Sequence, residues 1–482
     1  MSVSPSLGIP ELAGIATYHD AARLGYPVDE NVRRLVRYHW VAKRLMQIGV
    51  AHIPGTPEWE VKCGLSLHQW QDAEQADALR RRVAEMRSPA PPMDAAPDAA
   101  LDAFLEELLR ARDTVELLAG IYRVARPALA AAYREHIAET NPLVDHPTRR
   151  VLRFALLELD EAVAWGEAAL RALVGARPDG AERAAAWETH LRAYLDAAGG
   201  VAGAPAEPDE ANAGRPATPP PPPPPPTLPA PRAAAGRFVP DMHPRRDARF
   251  RGLYNFNFPP HVVYSMPGVP PDERNLALLC KRTLEMDVPE MMASIVTERL
   301  ADAGSAPPWE FFRDFARQLW DECRHAMMGT VAFEARGVDW TRIPLNISFA
   351  LRLNLHAAAL DRQCLLFAIE QSLMPGDTGK RAEYRTAVEA GDPLSARFHD
   401  YDWADEVLHT QIGRRWLRHE GLTVTDARAR AQAAHEHSWA ALDRYRDRDP
   451  QSEWWSEFVR AVLGKESAVR ESALGRPEVI GE

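Results

Sequence analysis

Eight consecutive prolines, Pro219 to Pro226, sit near the middle of this 482-residue chain. No other feature limits its folding as strongly. Each proline lacks a backbone N–H and holds φ near −65°, so the run can enter neither a helix nor an interior strand, and it extends as a polyproline II rod. The flanking residues from 203 to 235 are rich in Ala, Gly and Pro. They read as a linker that divides the chain into 1–202 and 236–482, a division its length already favours over a single core.

Both halves predict helix. Apolar residues recur at helical spacing through Asn31 to Val50, Leu65 to Met86, Ala99 to Ala138 and Pro147 to Val174 in the first half. In the second half they do so through Asn275 to Asp302, Pro308 to Gly337, Asn346 to Met374 and Leu394 to Glu420, with shorter helices at Lys380 to Ala390 and Thr425 to Arg446. β-Branched residues are sparse and do not alternate with polar ones. The expected class is all-α, with four long helices in each half arranged as tandem four-helix bundles. No stretch approaches the roughly 20 apolar residues of a membrane span. The first residues have neither the basic start nor the apolar core of a secretory signal, so the expected location is the cytoplasm. Four widely spaced cysteines form no zinc pattern, and a net charge of −11 without a basic block argues against nucleic-acid binding.

The chemistry is carried by a motif that occurs twice: Asp321-Glu322-Cys323-Arg324-His325, and Asp405-Glu406-Val407-Leu408-His409. On a helix, residues three apart share a face, so each Glu-x-x-His can present one carboxylate oxygen and one imidazole nitrogen to a common point. One such pair is expected by chance, but two copies, each preceded by Asp and each deep in a predicted helix, point to a metal centre. Two metals in such a bundle need one more carboxylate from each remaining helix. On the first helix, height along the axis and small neighbours such as Ala293 and Ser294 favour Glu290, and Glu285, beside Lys281 and Arg282, is the alternative. On the third, Asp361 and Glu370 are nine residues apart and so face opposite ways. Asp361, on a face with Ala357, Ala358 and Cys364, is preferred to Glu370, which shares a stripe with Arg352, His356 and Gln363. Asp321 and Asp405 are placed to accept from the second ring nitrogens of the two histidines.

With these residues in hand, the second half resembles the ferritin-like di-iron superfamily, and within it bacterial ferritin-like proteins of the domain-of-unknown-function 455 type. The resemblance covers about residues 272 to 420 and rests on Glu290-Met291-Met292-Ala293, Asp321-Glu322 with His325, Asp361 near Cys364, and Asp405-Glu406 with His409 followed by Ile412-Gly413. It implies a bundle able to hold two iron ions, or manganese, in a superfamily of oxidases, oxygenases and iron-storage proteins. The first half looks like a worn copy: Glu74-x-x-Asp77 stands in place of Glu-x-x-His, and Ala164 stands at a histidine position beyond Glu158, Asp160 and Glu161. It is expected to be metal-free, and to pack against the other half or to dimerise. The leading expectation is a non-haem di-iron oxidase or oxygenase using dioxygen, and a source of electrons, on a small organic molecule. The alternative is a metal-binding, storage or structural subunit without turnover.

Overall fold

A computed structural model describes residues 8–204, 228–301, 306–374, 376 and 379–470. Among these the regular structure is helical and no strand occurs. The proline run Pro219 to Pro226 lies outside the described residues. The chain forms two compact units, one made of Met1–Ile48 with Gln71–Val239, the other of Gly49–Trp70 with Pro240–Glu482. The second unit thus takes in a piece of the first half, the segment 49–70, which composition does not mark off.

The first unit contains most of α1 (Val28–His52) and α2 (Trp59–Met86), then α3 (Ala99–Leu109) and α4 (Thr114–Ala119). A π-helical turn, Gly120–Ala125, carries α4 into α5 (Arg126–Glu139), and α6 (His146–Gly175) and α7 (Gly180–Ala197) follow. The expected continuous helix from 99 to 138 is therefore broken. Its second part begins at a cap, where the Asp113 carboxylate accepts from Glu116 N at 3.0 Å and Glu116 accepts from Arg112 N at 2.7 Å. α6 comes so close to the π turn that a Cβ on Gly166 would lie 2.0 Å from the Tyr122 ring. Beyond 228 the chain is anchored on this unit, with Tyr194 donating to Pro229 O at 2.8 Å and Arg232 paired with Glu116 at 2.6 Å.

In the second unit the helices are α8 (Pro271–Leu284), α9 (Asp287–Ala301), α10 (Trp309–Glu334), α11 (Ser348–His356), α12 (Ala359–Leu373), α13 (Lys380–Glu389), α14 (Pro393–His419), α15 (Val424–Ala440) and α16 (Trp455–Leu463). α10 packs on α8, α9 and α14, while α12 packs on α9, α14 and α15, and α13 lies along α8 and α14. Two expected helices are interrupted. The stretch from 275 to 302 breaks at Glu285 and Met286, because Pro289 has no N–H to give to the Glu285 carbonyl. The stretch from 346 to 374 breaks at Ala357, which is extended at φ −127° and ψ 150°. There the Asn354 carbonyl accepts from the Arg362 guanidinium at 3.2 Å.

Candidate metal centre

Glu322 and His325 lie one turn apart on α10, and Glu406 and His409 one turn apart on α14, with all four side chains buried. His409 Nδ1 is 3.0 Å from Glu322 Oε1 and 3.3 Å from Glu406 Oε2. His325 Nδ1 is 3.5 Å from Glu322 Oε2 and 3.2 Å from Asp402 Oδ1. At these separations hydrogen bonds would be expected, yet Glu322 Oε1, Glu406 Oε2 and both Nδ1 atoms are buried without one. These atoms converge instead of pairing, which is how ligands around a cation are arranged.

The backs of the imidazoles face carboxylates crosswise between the two helices, that of His325 through a hydrogen bond and that of His409 without one. His325 Nε2 on α10 is hydrogen-bonded to Asp405 Oδ2 on α14 at 3.1 Å, and His409 Nε2 on α14 faces Asp321 Oδ2 on α10 at 3.5 Å. A carboxylate behind a histidine fixes the ring's orientation and leaves the other nitrogen to a ligand. Arg317 and Arg324 in turn hold Asp321, the former at 2.8 Å.

Three groups of side chains bring ligand atoms within 4.8 Å of one another: Glu322, Glu370, Glu406 and His409; Glu285, His325 and Asp402; and Glu383, His399 and Asp402. The first holds three carboxylates that do not shift alike: against burial, His325 and His409 hold Glu322 down to about 2, and Lys380 with His409 holds Glu406 well below its ordinary range. Burial, then the charges of Glu406 and Glu322, push the Glu370 carboxyl well above the usual range. Burial works against charge on His325, but Asp402 and then Asp405 and Glu322 more than offset it and raise the imidazole to about 10.

Neither preferred carboxylate joins these groups. Glu290 is buried, but its carboxylate pairs with Lys62 and with Arg246, whose Nη2 is 3.0 Å from Oε2. The break at 285–286 resets the helical phase, so it is Glu285, at the end of α8, that reaches the histidine side. Asp361 faces away, its carboxylate 2.6 Å from Arg430 on α15. Glu370, half a turn round the same helix, joins the cluster and accepts from Gln318 Nε2 at 3.3 Å. Arg352, expected on the Glu370 stripe, lies beyond the break and donates to Ser438 at 2.7 Å. Cys323 and Cys364 are buried and belong to none of the three groups.

Sequence reasoning passed over Asp402, Lys380, Arg282, Glu383 and His399. Asp402 carried a signal, since it precedes Glu406 by four residues and His409 by seven and so shares their stripe on α14. Nothing comparable marked Lys380, whose Nζ is 2.9 Å from Asp402 Oδ1 and 2.8 Å from Glu406 Oε1. In the first unit Glu74, Asp160 and Glu161 are exposed, Asp77 pairs with Arg81 at 3.2 Å and Asp72 with Arg126 at 2.6 Å. Among the described residues, the groups able to hold a metal all lie in the second unit. No family model, curated protein or solved structure matches the chain.

Proposed function

We propose that the second unit is a ferritin-like four-helix bundle, the first a degenerate copy of it, and that the protein is a non-haem oxidase or oxygenase with two iron or manganese ions acting on a small organic molecule. The observation that carries this reading is the convergence of Glu322 Oε1, Glu406 Oε2, His325 Nδ1 and His409 Nδ1, buried and without hydrogen-bond partners. Glu322, Glu370, Glu406 and His409 would hold one ion, and Glu285, His325 and Asp402 the other. Donors of this kind, carboxylates with imidazole, suit iron and manganese, and iron so bound supplies redox chemistry with dioxygen. The chain's own contribution is to orient the ligands. Asp405 holds the His325 imidazole, Asp321 faces that of His409 at 3.5 Å, Gln318 donates to Glu370, and burial keeps bulk water from the centre.

The alternative is metal storage without turnover. An oxygen electrode separates the readings. Ferrous iron added to the anaerobic protein and then exposed to air, with ascorbate as electron donor and a panel of small organic molecules, should give oxygen uptake that continues while one of them is consumed. A single stoichiometric uptake supports storage. Uptake unchanged by Glu322→Gln and His409→Ala would remove the centre from the reaction.

A further inference from the structure

The cluster is not evenly short of positive charge. Arg282, fully buried, reaches Glu383 at 2.7 Å and Glu285 at 2.7 Å, and also contacts Asp402. Lys281 adds a second cation on Glu383 at 2.7 Å. The group made of Glu383, His399 and Asp402 is therefore already neutralised by the protein. In the middle group, Arg282 holds Glu285 while Arg282 and Lys380 both hold Asp402, which leaves only His325 Nδ1 without a hydrogen bond. In the outer group, among the described residues, Lys380 is the lysine or arginine paired with a ligand, at Glu406 Oε1, and Glu322 Oε1, Glu406 Oε2 and His409 Nδ1 have no hydrogen bond.

Lys380 thus stands between the two proposed ion positions. It is the first residue of α13, is 1% exposed, and reaches one carboxylate of each group. An ammonium that shares its carboxylates with a divalent ion repels that ion and withholds an oxygen from it, here Asp402 Oδ1. We infer that Lys380 is a built-in competitor for the second ion: the protein takes one divalent cation at Glu322, Glu370, Glu406 and His409, and the second position, where Arg282 keeps Glu285 Oε2 and Asp402 Oδ2, fills through His325 Nδ1 and Asp402 Oδ1 only when the lysine ammonium gives up that oxygen. The inference rests on the metal-centre reading and adds an order of loading to it.

The test is metal stoichiometry on the full-length chain. The protein is saturated with manganese(II), freed of excess by gel filtration, and examined by metal analysis and low-temperature electron paramagnetic resonance. The expected result is one manganese per chain with the spectrum of an isolated ion, and two per chain with a spin-coupled spectrum in Lys380→Met, which keeps the stem and removes the charge. Two ions in the wild type overturn the inference and leave the metal centre standing. No ion in the wild type overturns both. One ion in Lys380→Met, with its far-ultraviolet circular dichroism unchanged, also overturns the inference, and Lys380→Gln serves the same purpose if the methionine variant does not fold.

Discussion

Glu370 and Asp361 are the same kind of group on the same helix, and their surroundings give them opposite roles. Glu370 is 3% exposed among other carboxylates, whereas Asp361 is partly exposed and satisfied by Arg430 at 2.6 Å. Glu370→Gln should weaken manganese binding by at least about 10- to 100-fold, the loss that removing a hydrogen-bond partner of a ligand already causes. Asp361→Asn should leave binding within about a factor of two, since an exposed ion pair contributes little. Calorimetric titration with manganese checks both, and equal effects would mean that Glu370 is not a ligand. The nine-residue spacing that sets these carboxylates half a turn apart was legible in the sequence. What decided between them was not, because the partner that satisfies Asp361, Arg430 on α15, is 69 residues away in the chain.

Elements explain what was legible and what was not. The two Glu-x-x-His pairs lie within uninterrupted helices, α10 and α14, so spacing alone put their side chains on one face. Glu285 and Glu290 lie on either side of a break, and counting along one continuous helix assigns the wrong phase. Pro289, in the first turn of α9, was the available warning, because a proline ends the helix before it. The break at Ala357 had no such warning, since alanine is the best helix former and only the Arg362 contact with the Asn354 carbonyl marks the place. The close approach of α8 to α10 depends on Gly329, where a Cβ would lie 2.7 Å from the Thr283 backbone nitrogen. Gly329→Ala should destabilise the protein by about 1 to 3 kcal/mol, because backbone cannot yield as a side-chain tip can. Gly175→Ala, at the end of α6 with nothing within 4 Å, is the control and should cost nothing. Chemical denaturation of both variants checks this, and equal midpoints would show that the helices can part without cost.

At the scale of the whole molecule, the two units handle buried acid differently, and this sets what metal removal does. In the first unit the buried carboxylates have protein partners: Asp72 has Arg126 at 2.6 Å, Glu107 has His190 at 2.7 Å, and Glu116 has Arg232 at 2.6 Å. In the second unit Glu322 Oε1 and Glu406 Oε2 have no hydrogen bond, and burial with the charges of Glu406 and Glu322 pushes the Glu370 carboxyl well above the usual range. A ligand that binds the folded state alone stabilises it by about 2.7 kcal/mol at 100 times its dissociation constant. That stabilisation should appear where the ligands are. Hydrogen exchange on the whole chain, read peptide by peptide with manganese or with a chelator, should show slower exchange on metal addition in α10, α12 and α14. Peptides from α3 to α7 should be unchanged. Metal-dependent protection of equal size in α3 to α7 would mean that the first unit also binds metal, against the arrangement of its acidic residues, and protection in neither unit would mean that the converging atoms of α10 and α14 do not meet around an ion.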